Sequence, residues 1–376
     1  MPAEVPPRRG LSFLFGSDGW PFLLVPFIPI AIVLDLVHAG AVAIFVTSAL
    51  GVIPTAALMG RATEELATRS GPGIGGLLNV TFGNAPELII ALFALNKGLQ
   101  EVVKASIVGS IIGNVLLVLG ASMFLGGLGR ERQLFNPTAA SAQSSMLLLA
   151  IVAVVMPAVF ELVDGQGLPK PSAELVNYGS KVETLSLITA LVLIGAYVGG
   201  LIFSLRTHRD LFNPQAEVEH TEEPWSVRRS VGMLAIAGAA VAVMSEILVG
   251  SISETAAKAG LSEFFIGAIV VAIVGNAAEH WVAVLVARKD KMDLAVNIAI
   301  GSGAQVALFV APVLVLSSYV LGPGPMPLVF NGFEVAALIL AALIANQVTQ
   351  DGESTWFEGL QLLAVYLIVA VAFAFA

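Results

Sequence analysis

Two short stretches, Gly83-Asn84-Ala85-Pro86-Glu87 and Gly275-Asn276-Ala277-Ala278-Glu279, each set a carboxylate within a run of apolar residues. They lie 192 positions apart, and the same offset pairs Gly109-Ser110 with Gly301-Ser302 and Lys97 with Lys289. A charged group at the centre of a membrane helix costs about 3 kcal/mol on insertion scales. An acid duplicated in such surroundings is therefore the place to look for chemistry.

The spacing says what that chemistry could be. Asn84 and Glu87 are three residues apart, as are Asn276 and Glu279, so each pair shares a helix face. Ser302 and Gln305 share a face by the same rule, and Ser110 and Asn114 by a spacing of four. Together they offer two carboxylates ringed by neutral oxygens. Hard divalent cations such as Ca²⁺ take about six to eight oxygen ligands in flexible geometry. Two carboxylates also neutralise one divalent charge. Burial and mutual repulsion make an empty carboxylate pair take up protons, so metal and proton compete for the same oxygens. Backbone joins in: Pro86 cannot donate to the Phe82 carbonyl and Gly83 loosens the turn, which leaves that oxygen seeking a partner. Ala278 stands where the first motif has Pro86, so the device is one-sided.

Other polar residues carry weaker expectations. Glu64, Glu65, Glu246 and Glu254 sit in the first helix of each repeat, near its ends, as ion guides or solvated charges. Glu334 opens a helix and suits its dipole. His280 follows Glu279 but points elsewhere on the helix, where it could still modulate proton uptake. His38, His208 and His220 read as surface residues. Glu217, Glu219, Glu222 and Glu223 lack an ion-binding loop pattern and read as a solvated linker.

Hydrophobic residues make up 57% of the 376 positions and charged ones 12%, the balance of a polytopic membrane protein. The net charge of −9 gives no encouragement to nucleic-acid binding, and the absence of Cys excludes disulfides, iron–sulfur clusters and thiolate zinc sites. Helical spans are expected at 20–38, 40–66, 72–96, 100–126, 138–161, 183–205, 228–257, 261–287, 292–321, 331–349 and 356–375. Breaks are expected at Ser70-Gly71-Pro72-Gly73, Asn136-Pro137, Asp164 to Pro171 and Gly322 to Pro327. The first span has Arg8 and Arg9 before it and no cleavage site after it, so it reads as a retained helix and not a signal peptide.

The basic residues test that count. With the N-terminus cytoplasmic, Arg8, Arg9, Arg61, Arg69, Arg130, Arg132, Arg206, Arg209, Arg228, Arg229, Arg288, Lys289 and Lys291 fall inside. Lys97, Lys104, Lys170, Lys181 and Lys258 fall outside, a split of 13 against 5 of the 18, with every Arg inside. Positive residues bias loops to the cytoplasm, so orientation and count support each other. The expected fold is all-α and membrane-embedded, with about eleven helices. Residues 1–39 form the cytoplasmic tail and leading helix, 40–205 a first five-helix repeat, 206–227 an acidic cytoplasmic linker and 228–376 a second repeat. Five is odd, so the second repeat inserts upside down, and inverted repeats place a substrate site near the midplane.

At these motifs, and at Ala62-Thr63-Glu64-Glu65-Leu66-Ala67, Gly301-Ser302-Gly303-Ala304-Gln305 and the paired elements Phe135-Asn136 and Phe330-Asn331, the chain resembles the calcium/proton exchangers of the cation/Ca²⁺ exchanger superfamily. The resemblance spans nearly the whole chain. It implies an antiporter, not an enzyme, that exchanges Ca²⁺ for H⁺ by alternating access and needs no cofactor. It also implies that Glu87 and Glu279 bind the cation and exchange protons, and that Asn84, Asn276 and the backbone at Gly83 and Gly275 line the site. Ser110, Ser302 and Gln305 match the family's neighbouring polar positions. Sodium/calcium exchangers of that superfamily generally carry Ser or Thr where this chain has Asn, which favours protons as counter-ion. The short N-terminal tail, unlike the long extension of many vacuolar members, points to a prokaryotic plasma membrane. A Na⁺/Ca²⁺ exchanger or a passive cation channel are the alternatives. An intramembrane hydrolase would need a nucleophile–base pair or a metal-activated water, which these helices do not supply. The partners expected are Ca²⁺, protons and the lipid bilayer, without nucleic acid, and a homo-oligomer is compatible with this reading.

Overall fold

The computed structural model describes residues 19–165, 167–171, 178–207 and 225–376. Arg8, Arg9, His208, Arg209 and the acidic run Glu217–Glu223 lie outside the described residues. Twelve helices matter here. They are α1 (Phe27–Leu36), α2 (Ala41–Gly83), α3 (Ala85–Asn96), α4 (Gln100–Gly127), α5 (Pro137–Asp164) and α6 (Ser180–Arg206). After the linker come α7 (Val227–Gly250), α8 (Ile252–Ala259), α9 (Glu263–Arg288), α10 (Met292–Ser317), α11 (Gly332–Val348) and α12 (Trp356–Phe375).

Among the described residues eight helices are long and apolar enough to cross a membrane, and the bent pair Leu77–Gly83 with Ala85–Asn96 makes a ninth. Trp20–Leu36 and Gly332–Val348 are apolar but shorter. Most expected spans agree within a few residues. The break expected at Ser70–Gly73 is present: although helical turns run from Ala41 to Gly83, a Cβ on Gly75 would lie 2.4 Å from the Ala67 carbonyl oxygen, eight residues earlier, where a straight helix would put about 12 Å between them. The chain therefore folds back there, and Ala41–Ser70 and the segment from Leu77 are separate spans. The second of them bends by 42° at Asn84, with Pro86 at the opening of α3, where a missing N–H goes unnoticed. The span expected at 228–257 divides at Ser251 into α7 and the short α8.

α4 is the central helix, with nearly all of its spanning residues buried. Small residues let neighbours come to backbone distance, the usual means of helix association where lipid competes with any apolar contact. A Cβ on Gly109 would strike the Ala268 carbonyl of α9, and one on Gly359 of α12 would lie 2.6 Å from the Gly120 carbonyl oxygen of α4. α4 and α10 each contain a single π-helical stretch, Gly113–Val118 and Val306–Val310, close to the 192-residue offset. Such bulges re-aim side chains and recur at functional sites.

The basic residues sort by end. Arg130 donates to the Arg288 carbonyl at 3.0 Å, Arg132 pairs with Glu353 at 2.7 Å, and Gln133 donates to Asp290 at 2.9 Å. A two-residue antiparallel ladder, Gln133–Leu134 with Glu353–Ser354, ties the same loops together. Trp225, where the chain resumes after the linker, sits between Arg61 and Arg229 at 5.2 and 4.4 Å. Its backbone is held by Arg69 and by Glu65, which thereby serves as an anchor and not a free charge. At the opposite end Gln100 donates to the Gly324 carbonyl at 2.8 Å, and Lys181 faces Asp164 at 4.0 Å. Lys104, assigned to the outer side within the expected span 100–126, lies toward this end and is buried. It pairs with Glu101 at 2.5 Å and donates to the Val329 carbonyl at 2.9 Å. Glu334 is fully buried too and does more than face a dipole: with Asn331 it closes a capping box at the start of α11, within electrostatic reach of Lys104. Glu254 pairs with Lys258 in α8. Gly359→Val is expected to cost about 1–3 kcal/mol by overpacking the α4–α12 contact, read as a lowered thermal midpoint of the detergent-solubilised protein, with the exposed Gly232→Val as an unchanged control.

Candidate functional site

The bend at Asn84 brings the first motif to the middle of the bundle. Glu87 falls in the first turn of α3, where the helix dipole favours a negative charge. Its side chain is buried, and it accepts hydrogen bonds from Ser110 of α4 and from the amide of Asn276 of α9. Asn276 also donates to the Ala272 carbonyl at 3.1 Å and lies 3.4 Å from Ser110 Oγ. The second motif sits in unbroken helix, as Ala278 in place of Pro86 leads one to expect. Glu279 is half-buried, and Ser302 of α10 donates to it at 3.5 Å.

The two sets interlock across the halves. Asn84 donates to Gln305 at 2.7 Å and accepts from Ser302 at 3.3 Å; Asn114 donates to Ser302 at 3.3 Å. A Cβ on Gly83 would lie 3.0 Å from Glu279 Oε1, and one on Gly275 would lie 3.1 Å from Glu87 Cγ. The glycines are thus what lets each motif's backbone approach the other motif's acid. All nine residues expected at the site, Glu87, Glu279, Asn84, Asn276, Gly83, Gly275, Ser110, Ser302 and Gln305, come together. Asn114 joins them. The Phe82 carbonyl expected to be free accepts the Asn84 N–H instead.

Neither carboxylate pairs with Lys or Arg among the described residues, and the charge of Glu87 acts on Glu279. Glu87 Oε2 is buried with no hydrogen-bond partner. No group of three or more His, Cys, Asp or Glu able to hold a metal occurs among the described residues. A cation here would therefore rest on two carboxylates and neutral oxygens, a donor set suited to a hard ion that must also leave. His280 is not part of the constellation: its Nε2 is buried without a partner, on the next helical position. The sequence reading missed Gln143 and Asn297, which bond at 2.5 Å between α5 and α10. The signal for Asn297 was its four-residue spacing from Gly301 and Gln305; Gln143, on another helix, carried none.

A bundle of spanning helices with facing intramembrane acids, one from each half of the chain, is the plan of a polytopic ion-handling membrane protein. The chain belongs to the sodium/calcium exchanger protein family, whose profile matches residues 40–206 and 229–375. It is 46% identical over 350 residues to the Ca²⁺/H⁺ antiporter ChaA of Bacillus subtilis, covering 92% of this chain and 96% of that one. It is 43% identical over 369 residues to a Ca²⁺/H⁺ antiporter of Synechocystis, with 94% and 96% coverage. The crystal structure of the Ca²⁺/H⁺ antiporter protein YfkE superposes with a TM-score of 0.79 at 41% identity, covering 95% of this chain and 99% of that one.

The contact between Asn84 and Gln305 can be weighed by a double-mutant cycle. Asn84→Ala and Gln305→Ala are expected to couple by about 0.6 kcal/mol, the average measured for intramembrane hydrogen bonds, and by no more than about 1.7 kcal/mol. Unfolding in mixed micelles reads it, and strictly additive losses would show that the bond contributes nothing.

Proposed function

We propose that the chain exchanges Ca²⁺ for protons across a membrane by secondary active antiport, with Glu87 and Glu279 as the shared binding groups. The observation that carries this reading is the meeting of those two acids, without a basic partner, among Asn84, Asn276, Ser110, Ser302 and Gln305. The antiporters named above, alike over nearly their whole length, support it.

The charges explain coupling. The empty site is a dianion in low dielectric, which is costly to carry through the membrane. One Ca²⁺ neutralises it, and so do two protons. Either loaded form can pass through the occluded arrangement and the bare form cannot, so the two ions must alternate. The carboxylates and the Asn84 and Gln305 oxygens would hold Ca²⁺, with Gly83 and Gly275 giving the backbone room. Ser110 and Asn276 hold Glu87 in place between loads. No resident cofactor enters the scheme.

The same reading takes α1 as a leading helix before two five-helix units, 40–205 and 228–376, inverted relative to each other. Counting the nine spans with Trp20–Leu36 and Gly332–Val348 gives eleven crossings, which supports it. The arginine-rich end is the cytoplasmic one by the positive-inside rule, and the bacterial relatives suit a prokaryotic plasma membrane.

Glu87→Gln and Glu279→Gln are each expected to abolish proton-driven Ca²⁺ uptake into everted vesicles while the protein remains in the membrane; full activity in both would refute the site. A sodium gradient imposed alone should drive no flux, whereas sodium-driven flux would favour a sodium/calcium exchanger and ungated leak a channel. Acidification should weaken Ca²⁺ binding, raising the apparent KM about tenfold per pH unit for each proton displaced. A KM flat with pH would mean that protons and Ca²⁺ do not share these carboxylates.

A further inference from the structure

The 192-residue offset lets each half serve as a control for the other. On α10, Asp293, Asn297, Gly301 and Gln305 recur every four residues and share one face. That face runs about 18 Å from the arginine-rich end to the site. Asp293 is exposed and the other three are half-buried. Their counterparts on α4, Glu101, Ala105, Gly109 and Gly113, are all buried. Gly109 lies against the Ala268 backbone, and a Cβ on Gly267 would come within 2.9 Å of the Val102 carbonyl oxygen, so α9 closes that side. The approach along 77–83 repeats the contrast. Leu77 and Asn79 are exposed and Gly83 half-buried, where Ile269, Val271 and Gly275 are buried. On both elements the segment leading from the site toward the arginine-rich end is the less buried of the pair.

Opposite the α10 face stands Gln143 of α5. Its amide nitrogen donates to Asn297 Oδ1, while its own oxygen is buried with no hydrogen-bond partner. A Cβ on Gly301 would lie 3.3 Å from Asn297 Oδ1 and 3.9 Å from Gln143 Oε1, so both amides border the gap that this glycine leaves. A buried acceptor without a donor costs about 1–3 kcal/mol. A passing ion or its water would satisfy it.

The geometry points to Gln143 and Asn297 as a polar constriction on the route between the arginine-rich end and Glu279. It would be used by a hydrated divalent cation, an inference that rests on the exchange reading above. Neutral amide oxygens replace hydration waters without adding charge, so they ease dehydration without trapping the ion. Asn297 lies five residues, about 7.5 Å along the helix, before Ser302, which donates to Glu279, so the constriction sits between one and two turns outside the carboxylates.

The chain has no cysteine, so single substitutions report without background. Asn297→Cys, Gln143→Cys, Ala105→Cys and Asp293→Cys would be exposed in vesicles to a charged, membrane-impermeant methanethiosulfonate on the face bearing Arg130 and Arg288. Asn297→Cys and Gln143→Cys should react roughly tenfold faster than Ala105→Cys, as expected of intramembrane positions that line water, and Ca²⁺ should slow both. The proposal is overturned if Asn297→Cys and Gln143→Cys are as inert as Ala105→Cys while Asp293→Cys is modified, or if modification ignores Ca²⁺. Either cysteine alone suffices should the other variant not fold. Labelling of Asn297→Cys should persist in a Glu279→Gln background that has lost exchange, which separates failure of the route from failure of the exchange reading.

Discussion

Two carboxylates held together in a low-dielectric interior, with no lysine or arginine to balance them, impose a constraint that the rest of the molecule serves. On the proposed exchange reading, repulsion between Glu87 and Glu279 is tolerated by the fold and relieved by cargo. The hydrogen bonds from Ser110, Asn276 and Ser302 orient the acids but carry no full charge. A cation-paired acid would be easier to bury and useless for exchange, since the internal partner would compete with every ion that arrived.

The contrast with the other buried charges makes the point. Glu101 and Glu334 sit at the opposite end from the arginines, and Lys104 lies among them, bonded to Glu101 and to the Val329 carbonyl. There the chain supplies its own cation and gains a fixed junction between α4 and the segment leading to α11. At the site it withholds one. Similar acids thus serve opposite ends, and the difference is a single ammonium on the neighbouring turn.

Close backbone packing is the second requirement, because polar side chains can meet across halves only if helices approach nearly to touching. Gly83 and Gly275 give that approach at the site; Gly109 and Gly359 give it along α4. The duplication is not carried to identity. Pro86 bends one motif where Ala278 leaves the other straight, and α4 is sealed where α10 keeps a polar face. That inequality is what a site open to one end at a time demands.

The paired motifs were legible because the 3.6-residue period and the repeat offset are written in the chain itself. They predicted which polar residues share a helix face, and the long apolar runs predicted most spans to within a few residues. Local chemistry located the break at Ser70–Gly73, where Gly75 comes back against Ala67, but not the burial of Lys104, whose charge suggested water. That burial is settled by what packs alongside, which no single segment contains. The sequence by itself determined the two acids, their amide and hydroxyl companions and the membrane setting, since these follow from residue type and spacing. Only the tertiary structure decided that Glu87 meets Asn276 from the other half, that Lys104 is buried, and that the α10 face stays accessible while that of α4 is closed. Contacts between residues some 190 positions apart depend on how helices dock, and docking is set by surfaces distributed over the whole bundle.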